Sequence, residues 1–158
     1  MTPVLSAIVV LHAVATLFMT GLIWFVQVVH YPLFARVGRD GFTAYSEAHQ
    51  RLTTLVVGPA MLVEAVTAAL IVVLRPEGVS GLLAWAGLAL LGVIWMSTAF
   101  LQVPLHGRLA AGFTQEACDA LVSTNWLRTV AWTIRSGIVV LILLQLATRA
   151  GGAAPAPA

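Results

Sequence analysis

Charged residues are scarce in this sequence: they make up 9% of its 158 residues, and lysine is absent altogether. An ordinary soluble domain carries roughly 25% charged residues. The eight arginines form no cluster, which excludes a nucleic-acid-binding protein of the usual kind, because such proteins need a basic face. Hydrophobic residues make up 60% of the chain and the mean hydropathy is +0.98, as expected for a protein whose partner is the lipid bilayer.

Cysteine is nearly absent as well. The single Cys118 excludes a disulfide within the chain and a zinc site built from several thiolates. The sequence also lacks a glycine-rich nucleotide-binding loop, a Gly-x-Ser-x-Gly nucleophile elbow and the His-Glu-x-x-His and Cys-x-x-Cys motifs. Any chemistry therefore depends on histidine, carboxylate, arginine and tryptophan side chains.

Four apolar stretches are each long enough to cross a hydrocarbon core about 30 Å thick. Lipid cannot satisfy backbone N–H and C=O groups, so the spans are predicted to be helices. The expected fold class is all-α: a polytopic membrane protein with a bundle of four transmembrane helices. Residues 1–150 form its single domain, and residues 151–158 are a low-complexity, disordered tail. The stretches are Val4–Val29, Leu52–Leu74, Leu82–Val103 and Leu127–Ala147.

The two longer connections, His30–Arg51 and Pro104–Trp126, are expected to hold short surface helices on the same side of the membrane. That side is richer in arginine, and the positive-inside rule places it in the cytoplasm. The prediction is a multi-pass protein of the bacterial inner membrane with both termini outside. The arginines on the predicted cytoplasmic side are Arg36, Arg39, Arg51, Arg108 and Arg128.

The two halves of the chain also resemble each other, with an offset of about 71 residues. Two parallel-repeated helix pairs would produce this pattern, and chance similarity is the alternative in a sequence so rich in glycine and leucine. The matching segments are Gly21–Trp24 with Gly92–Trp95, Pro32-Leu33 with Pro104-Leu105, and Gly41–Thr43 with Gly112–Thr114.

Polar residues inside each span fall on one helical face, and such faces turn toward the interior of a bundle. Glu64 and Arg135 lie at similar depth and are predicted to form an ion pair. The pair is either architectural or catalytic, with Glu64 as a proton acceptor and Arg135 as a binder of negative charge. The catalytic alternative predicts that Glu64→Gln lowers turnover and leaves the fold intact. The remaining interior candidates for a bound cofactor or substrate are Asn125, Arg128 and Trp132.

Three histidines, His30, His49 and His106, are predicted near the same membrane face at the ends of different helices. Imidazole suits zinc, copper and iron, so these residues are candidate ligands for a transition metal or haem b. Gln27 and Gln102 lie about one turn deeper, where they can support the ligands or contact a substrate. Each histidine can instead simply hydrogen-bond to a loop.

Two resemblances to known families add to these expectations. Arg51-Leu52 with Pro59-Ala60-Met61, and Trp24-Phe25 with Tyr31–Phe34, are similar to the small four-helix membrane protoporphyrinogen oxidases of bacteria. This resemblance implies a bundle that binds haem b, with the family's early histidine matched loosely by His12. The lysine expected in the second span of that family is missing, so the resemblance concerns architecture.

The stretch Gln102–Gly107 and the later Thr124–Thr129, with Trp132 and Arg135, resemble bacterial four-helix membrane proteins akin to the anthrone-oxygenase-like group. That resemblance implies oxidation of an acidic polycyclic substrate without a metal or an organic cofactor. The leading hypothesis is therefore a membrane redox protein or oxygenase with its polar site in the cytoplasmic half of the bundle. Two occupants of this site are possible. One is a haem or metal held by His30, His49 and His106, and the other is a hydrophobic cyclic substrate among Trp24, Trp95, Trp126 and Trp132.

The alternative from another class is a transporter of a small solute or proton, or an accessory subunit of a membrane complex. Intramembrane charges and parallel repeats also occur in transporters. A homo-oligomer is compatible with a bundle of this size, and the sequence names no particular interface.

Overall fold

The computed structural model describes residues 2–152, with side chains as far as residue 149. These residues form four long helices and no strand, which confirms the predicted all-α class. All four helices are long and apolar enough to cross a membrane. The helices are α1 (Pro3–Phe34), α2 (Arg39–Leu74), α3 (Gly81–Ala111) and α4 (Gln115–Gly152).

The helices extend well beyond the apolar stretches, and the prediction of separate surface helices in the two long connections is wrong. Those polar segments continue α1, α2, α3 and α4, so the connections shrink to residues 35–38 and 112–114. The cause is visible in α2, where Phe42, Ser46 and His49 recur every three or four residues and are all buried. Helix α4 likewise includes residues 151–152 of the predicted tail, and residues 153–158 lie outside the described residues.

Each half of the chain contains one π-helical turn, at Val26–His30 in α1 and at Thr98–Gln102 in α3. A proline, Pro32 or Pro104, follows each turn by two residues. Proline clashes with the carbonyl four residues earlier in a regular α-helix, and the wider π turn places that carbonyl where the clash is relieved. The two π turns lie 72 residues apart, close to the offset of the sequence repeat.

The four helices pack in a ring, each against its neighbours in the chain, and α1 closes the ring against α4. Apolar side chains, among them Met19, Phe34 and Met61, fill the half of the bundle toward the two short connections. Polar groups are buried there too, because each helix turns its polar face inward, as the sequence predicted. The interior of this half is where the candidate site lies.

Candidate functional site

A layer of buried polar groups crosses the middle of the bundle. Glu64 forms an ion pair with Arg135, whose Nη2 lies 2.9 Å from the carboxylate. The Nε of Arg135 donates a hydrogen bond to the same carboxylate at 3.0 Å. The same carboxylate accepts hydrogen bonds from the Thr16 hydroxyl at 2.9 Å and the Trp132 indole at 3.0 Å. Arg135 also donates to the carbonyl of Gly87. The side chains that form this layer are each at most 1% exposed: Thr16, Glu64, Trp132 and Arg135.

The predicted ion pair between Glu64 and Arg135 is therefore present, and its geometry favours the architectural alternative. Both carboxylate oxygens of Glu64 accept from donors on α1 and α4. Neither Glu64 nor Arg135 lines the large cavity of the bundle, which lies beside this layer. The catalytic roles assigned to the two residues stay predictions that this geometry does not support. Trp132 connects the layer to the cavity, because its indole is held by Glu64 and its ring forms part of the cavity wall.

A cavity of about 410 Å³ lies directly beside this layer, toward the short connections. All four helices contribute to it, and most of its wall is apolar, including Met19, Ile23 and Met61. Its size and lining are those of a site for an organic small molecule. The polar side chains on its wall are Tyr31, His49, Gln50, Thr53, Thr54, Thr98, Gln102, His106 and Arg128.

The cavity opens sideways between α2 and α3. Four of its lining residues are exposed on the outer surface of these helices: Thr54 and Leu62 on one side, Trp95 and Val103 on the other. Toward the short connections, the Gln50 amide donates to the carbonyl of His106 at 3.2 Å and links the two helices. The opening therefore faces the apolar flank of the bundle.

Arg128 is the charged residue of this cavity, and it is only 7% exposed. Its Nε donates to the side-chain oxygen of Asn125 at 2.9 Å, and Nη1 and Nη2 donate to Thr98 and Tyr31, both at 3.3 Å. Asn125 is held in turn by its own donation to Gln27 at 2.8 Å. The sequence predicts Asn125 and Arg128 as interior candidates for one site, and the structure brings their side chains into contact.

All of these partners of Arg128 are neutral. Within residues 2–152 no carboxylate pairs with its guanidinium, because the one buried carboxylate, Glu64, is taken by Arg135. In the described part of the chain, the interior of the bundle thus holds two cations, Arg128 and Arg135, and one anion, Glu64. A buried charge is stabilised chiefly by an opposite charge, so a cavity with an unmatched guanidinium on its wall favours an anionic ligand.

The three predicted histidines do come together, and they hydrogen-bond to one another and to their neighbours. His30 Nε2 lies 2.8 Å from His49 Nδ1, which also lies 3.1 Å from the Thr53 hydroxyl. His106 Nε2 lies 3.0 Å from the Tyr31 hydroxyl, and the rings of His49 and His106 are 5.3 Å apart. His49 and His106 line the cavity, whereas His30 lies behind His49.

This arrangement does not support the predicted metal site. Two nitrogens bound to one zinc ion at 2.0–2.1 Å in tetrahedral geometry lie roughly 3.4 Å apart, farther than the contact between His30 and His49. No group of three or more His, Cys, Asp or Glu side chains in the described part of the chain has metal-site geometry. The metal role of the three histidines stays a prediction.

The residues present do not fit haem b either. His12, the loose match to the haem ligand of the resembling family, is hydrogen-bonded to Thr67 at 3.0 Å and borders a void of only about 10 Å³. His49 and His106 are too close to ligate an iron from opposite faces of a tetrapyrrole, since their ring centroids are separated by 5.3 Å.

Only two of the four tryptophans that were predicted to surround a substrate line the cavity. Trp132 and Trp95 line the cavity, at its inner wall and at its opening. Trp24 and Trp126 lie on the outer surface between α1 and α4, where their rings meet edge to face at 5.7 Å, and Trp24 donates to Thr133. The expectation that all four surround one substrate is wrong. The regular part of α1 turns Met19 and Ile23 inward, and Trp24 lies about 100° round the helix from Ile23.

Sequence reasoning missed Tyr31, which joins Arg128 to His106 through its hydroxyl group. The available signal was its position directly after His30 and before Pro32. The π turn could not be anticipated from an ideal helical period, and it rotates Tyr31 into the interior, where it is 5% exposed.

Comparisons with protein-family models, with curated proteins and with solved structures find no match to this chain.

Proposed function

We propose that this chain is a multi-pass protein of the bacterial inner membrane that takes a hydrophobic small molecule with one anionic group from the lipid into the cavity. Membrane insertion is supported by the outer surface, where large apolar residues such as Leu82 (79% exposed) and Leu55 (68%) lie on all sides. Exposed arginines favour a cytoplasmic location of the short connections. They are Arg36, Arg39, Arg51 and Arg108 there, against Arg75 and Arg149 at the other end.

The observation that carries the proposal is Arg128. Its buried guanidinium has no carboxylate partner within residues 2–149, and it lies on the wall of an apolar cavity that opens toward lipid. Apolar walls bind a hydrophobic body, and the guanidinium binds its anionic end through charge-assisted hydrogen bonds. A molecule of this class partitions into lipid with its charged group near the interface, and so reaches an opening on the flank of the bundle.

The chemistry we propose is oxidation of the bound molecule, started by removal of a proton. His49 lines the cavity, and its Nδ1 is engaged by His30 and Thr53, which leaves Nε2 as the ring nitrogen for a ligand proton. Arg128 stabilises the negative charge that remains on the ligand. Dioxygen then oxidises the carbanion: a C–O bond forms to give a peroxide, which takes back the proton from His49, and loss of water leaves a carbonyl group on the same carbon. This agrees with the resemblance to the anthrone-oxygenase-like group.

A transporter is the less favoured class. The cavity ends against Trp132, and behind it Thr16, Glu64 and Arg135 are at most 1% exposed and tied to one another. A solute path through the bundle would have to break this layer. Accumulation of anthracenecarboxylate inside protein-containing vesicles would favour transport over the proposal.

Ligand binding is testable in lipid nanodiscs with anthracenecarboxylate, which accepts excitation energy from tryptophans such as Trp132 and Trp95 at the cavity. We expect the anion to bind about tenfold more tightly than its neutral analogue anthracenemethanol, because a charge-assisted hydrogen bond contributes roughly 1.5–3 kcal/mol. Arg128→Gln should remove this preference and bring the two affinities together.

Arg108 provides the matched control, because it is an exposed arginine at the same end of the bundle and does not line the cavity. Arg108→Gln is expected to keep the preference for the anion. Equal affinities of the two probes for the wild-type protein, or equal effects of the two substitutions, would contradict the proposed binding site.

The reaction class is tested separately, by oxygen uptake in the presence of an anthronecarboxylate, whose methylene protons are removable and whose carboxylate binds Arg128. Nanodiscs without the protein, given the same compound, provide the blank. His49→Gln is expected to lower the uptake rate, because the proton acceptor is lost. His12→Gln, on the far side of the Glu64 layer, is the control. If the protein consumes oxygen no faster than the blank, the oxygenase assignment is wrong. The binding site is tested independently, by the affinities of anthracenecarboxylate and anthracenemethanol.

A further inference from the structure

Two residues that line the cavity each carry a buried polar atom without a hydrogen-bond partner among the described residues: Oε1 of Gln102 and Nδ1 of His106. The two residues lie one turn apart on α3, and Gln102 is 1% exposed. Leaving a buried polar atom unpaired costs roughly 1–3 kcal/mol, so such atoms in a ligand cavity indicate groups that the ligand supplies.

The hydrogen-bond network fixes which kind of partner Gln102 needs. Its amide nitrogen lies 3.0 Å from the Thr124 hydroxyl, which itself donates to the carbonyl of Ala120 at 2.6 Å. Because the proton of Thr124 is used there, its oxygen must accept from Gln102, and the amide cannot be turned round. The free Oε1 of Gln102 is therefore an acceptor, and it requires a donor.

The same reasoning applies to His106. Arg128 can only donate to the Tyr31 oxygen, and the Tyr31 proton has no acceptor in the described residues other than His106 Nε2. Nε2 then accepts, and the neutral ring carries its proton on Nδ1. The chain from Arg128 through Tyr31 to His106 thus ends in a free donor, which requires an acceptor.

We propose that the ligand is a hydrophobic hydroxy acid: its carboxylate binds Arg128 and the Nδ1–H of His106, and a hydroxyl group close to the carboxylate donates to Oε1 of Gln102. The π turn at Thr98–Gln102 supports this placement. With about 4.4 residues per turn it aligns Thr98, which holds Arg128, with Gln102 four residues later. The inference rests on the proposed function, and it adds the second polar group of the ligand.

The test uses displacement of bound anthracenecarboxylate by three fatty acids of equal chain length: dodecanoate, β-hydroxydodecanoate and β-oxododecanoate. The wild-type protein is expected to bind the hydroxy acid about tenfold more tightly than dodecanoate, since one hydrogen bond to a previously unpaired buried acceptor is gained. The oxo acid places an acceptor against Oε1 and should bind more weakly than dodecanoate.

Gln102→Leu is expected to bring the ratio of the hydroxy acid and dodecanoate affinities to about one. Gln115→Leu, at an exposed position in α4, should keep the wild-type ratio and is the control. If Gln102→Leu fails to fold, the order of the three acids with the wild-type protein decides the question.

Equal wild-type affinities for the hydroxy acid and dodecanoate overturn the inference, and so does failure of all three acids to displace the probe. If in the first case binding of dodecanoate still depends on Arg128, the proposed anion site stands without its hydroxyl contact. Loss of the Arg128 dependence would instead remove both proposals, so the two failures are distinguishable.

Discussion

Replacement of Glu64 by Gln is expected to destabilise the protein by about 3–5 kcal/mol, because it leaves the guanidinium of Arg135 buried without a counter-ion. The amide also meets donors on every side: Arg135 and the Thr16 hydroxyl at one oxygen, the Trp132 indole at the other. Whichever way the amide turns, its NH2 group faces a donor. This expectation replaces the one from sequence, in which Glu64→Gln lowers turnover and leaves the fold intact.

The measurement is thermal unfolding in nanodiscs, followed by circular dichroism. Glu47→Gln is the matched control, because Glu47 is an exposed carboxylate on the same helix. The double substitution Glu64→Gln with Arg135→Met should recover part of the lost stability, since it removes the unpaired cation. A Glu64→Gln variant as stable as the wild type, or a double variant less stable than the single one, would contradict the architectural role of the pair.

Replacement of Asn125 by Asp is expected to reduce the affinity for anthracenecarboxylate roughly a hundredfold, because like charges brought together cost several kcal/mol. The side-chain oxygen of Asn125 already accepts from Nε of Arg128 at 2.9 Å. An aspartate there supplies the missing counter-ion from within the protein and in addition repels an anionic ligand. The neutral anthracenemethanol should bind nearly as before, so that the preference for the anion is reversed.

The matched control is Asp119, an exposed acidic residue of α4 that lies outside the cavity. Asp119→Asn changes the charge of the same helix by one in the opposite direction, and we expect it to leave the affinity for the anion unchanged. An Asn125→Asp variant that still prefers the anion would show that the charge of Arg128 does not select the ligand. An equal loss of affinity for the anionic and the neutral probe would indicate that the substitution distorts the cavity.

Much of the fold follows directly from composition and period. Few charges and four long apolar stretches predict four helices, and the polar positions on each stretch predict its inward face. These arguments also anticipated the pair of Glu64 with Arg135 and the convergence of His30, His49 and His106. They succeed because a helix has a fixed period and because a buried charge needs a partner wherever the chain places it.

The roles of these residues were decided only by the packing of the four helices. The depths of Glu64 and Arg135 along their helices predict that the two residues pair. Only the packed bundle shows that the carboxylate is surrounded by four donor groups and does not line the cavity. The π turns are the second reason, because one extra residue in a turn rotates all that follows. The π turn of α1 brings Tyr31 inward, and it could not be derived from an ideal helical period.

The sequence by itself thus determined the class of fold, the inward faces and which charges are buried, since these depend on local period and on the cost of placing polar groups in apolar surroundings. Which buried charge is neutralised and which is left free was decided by tertiary structure alone. Glu64 reaches Arg135 and not Arg128, and that single choice leaves a cation on the wall of the cavity.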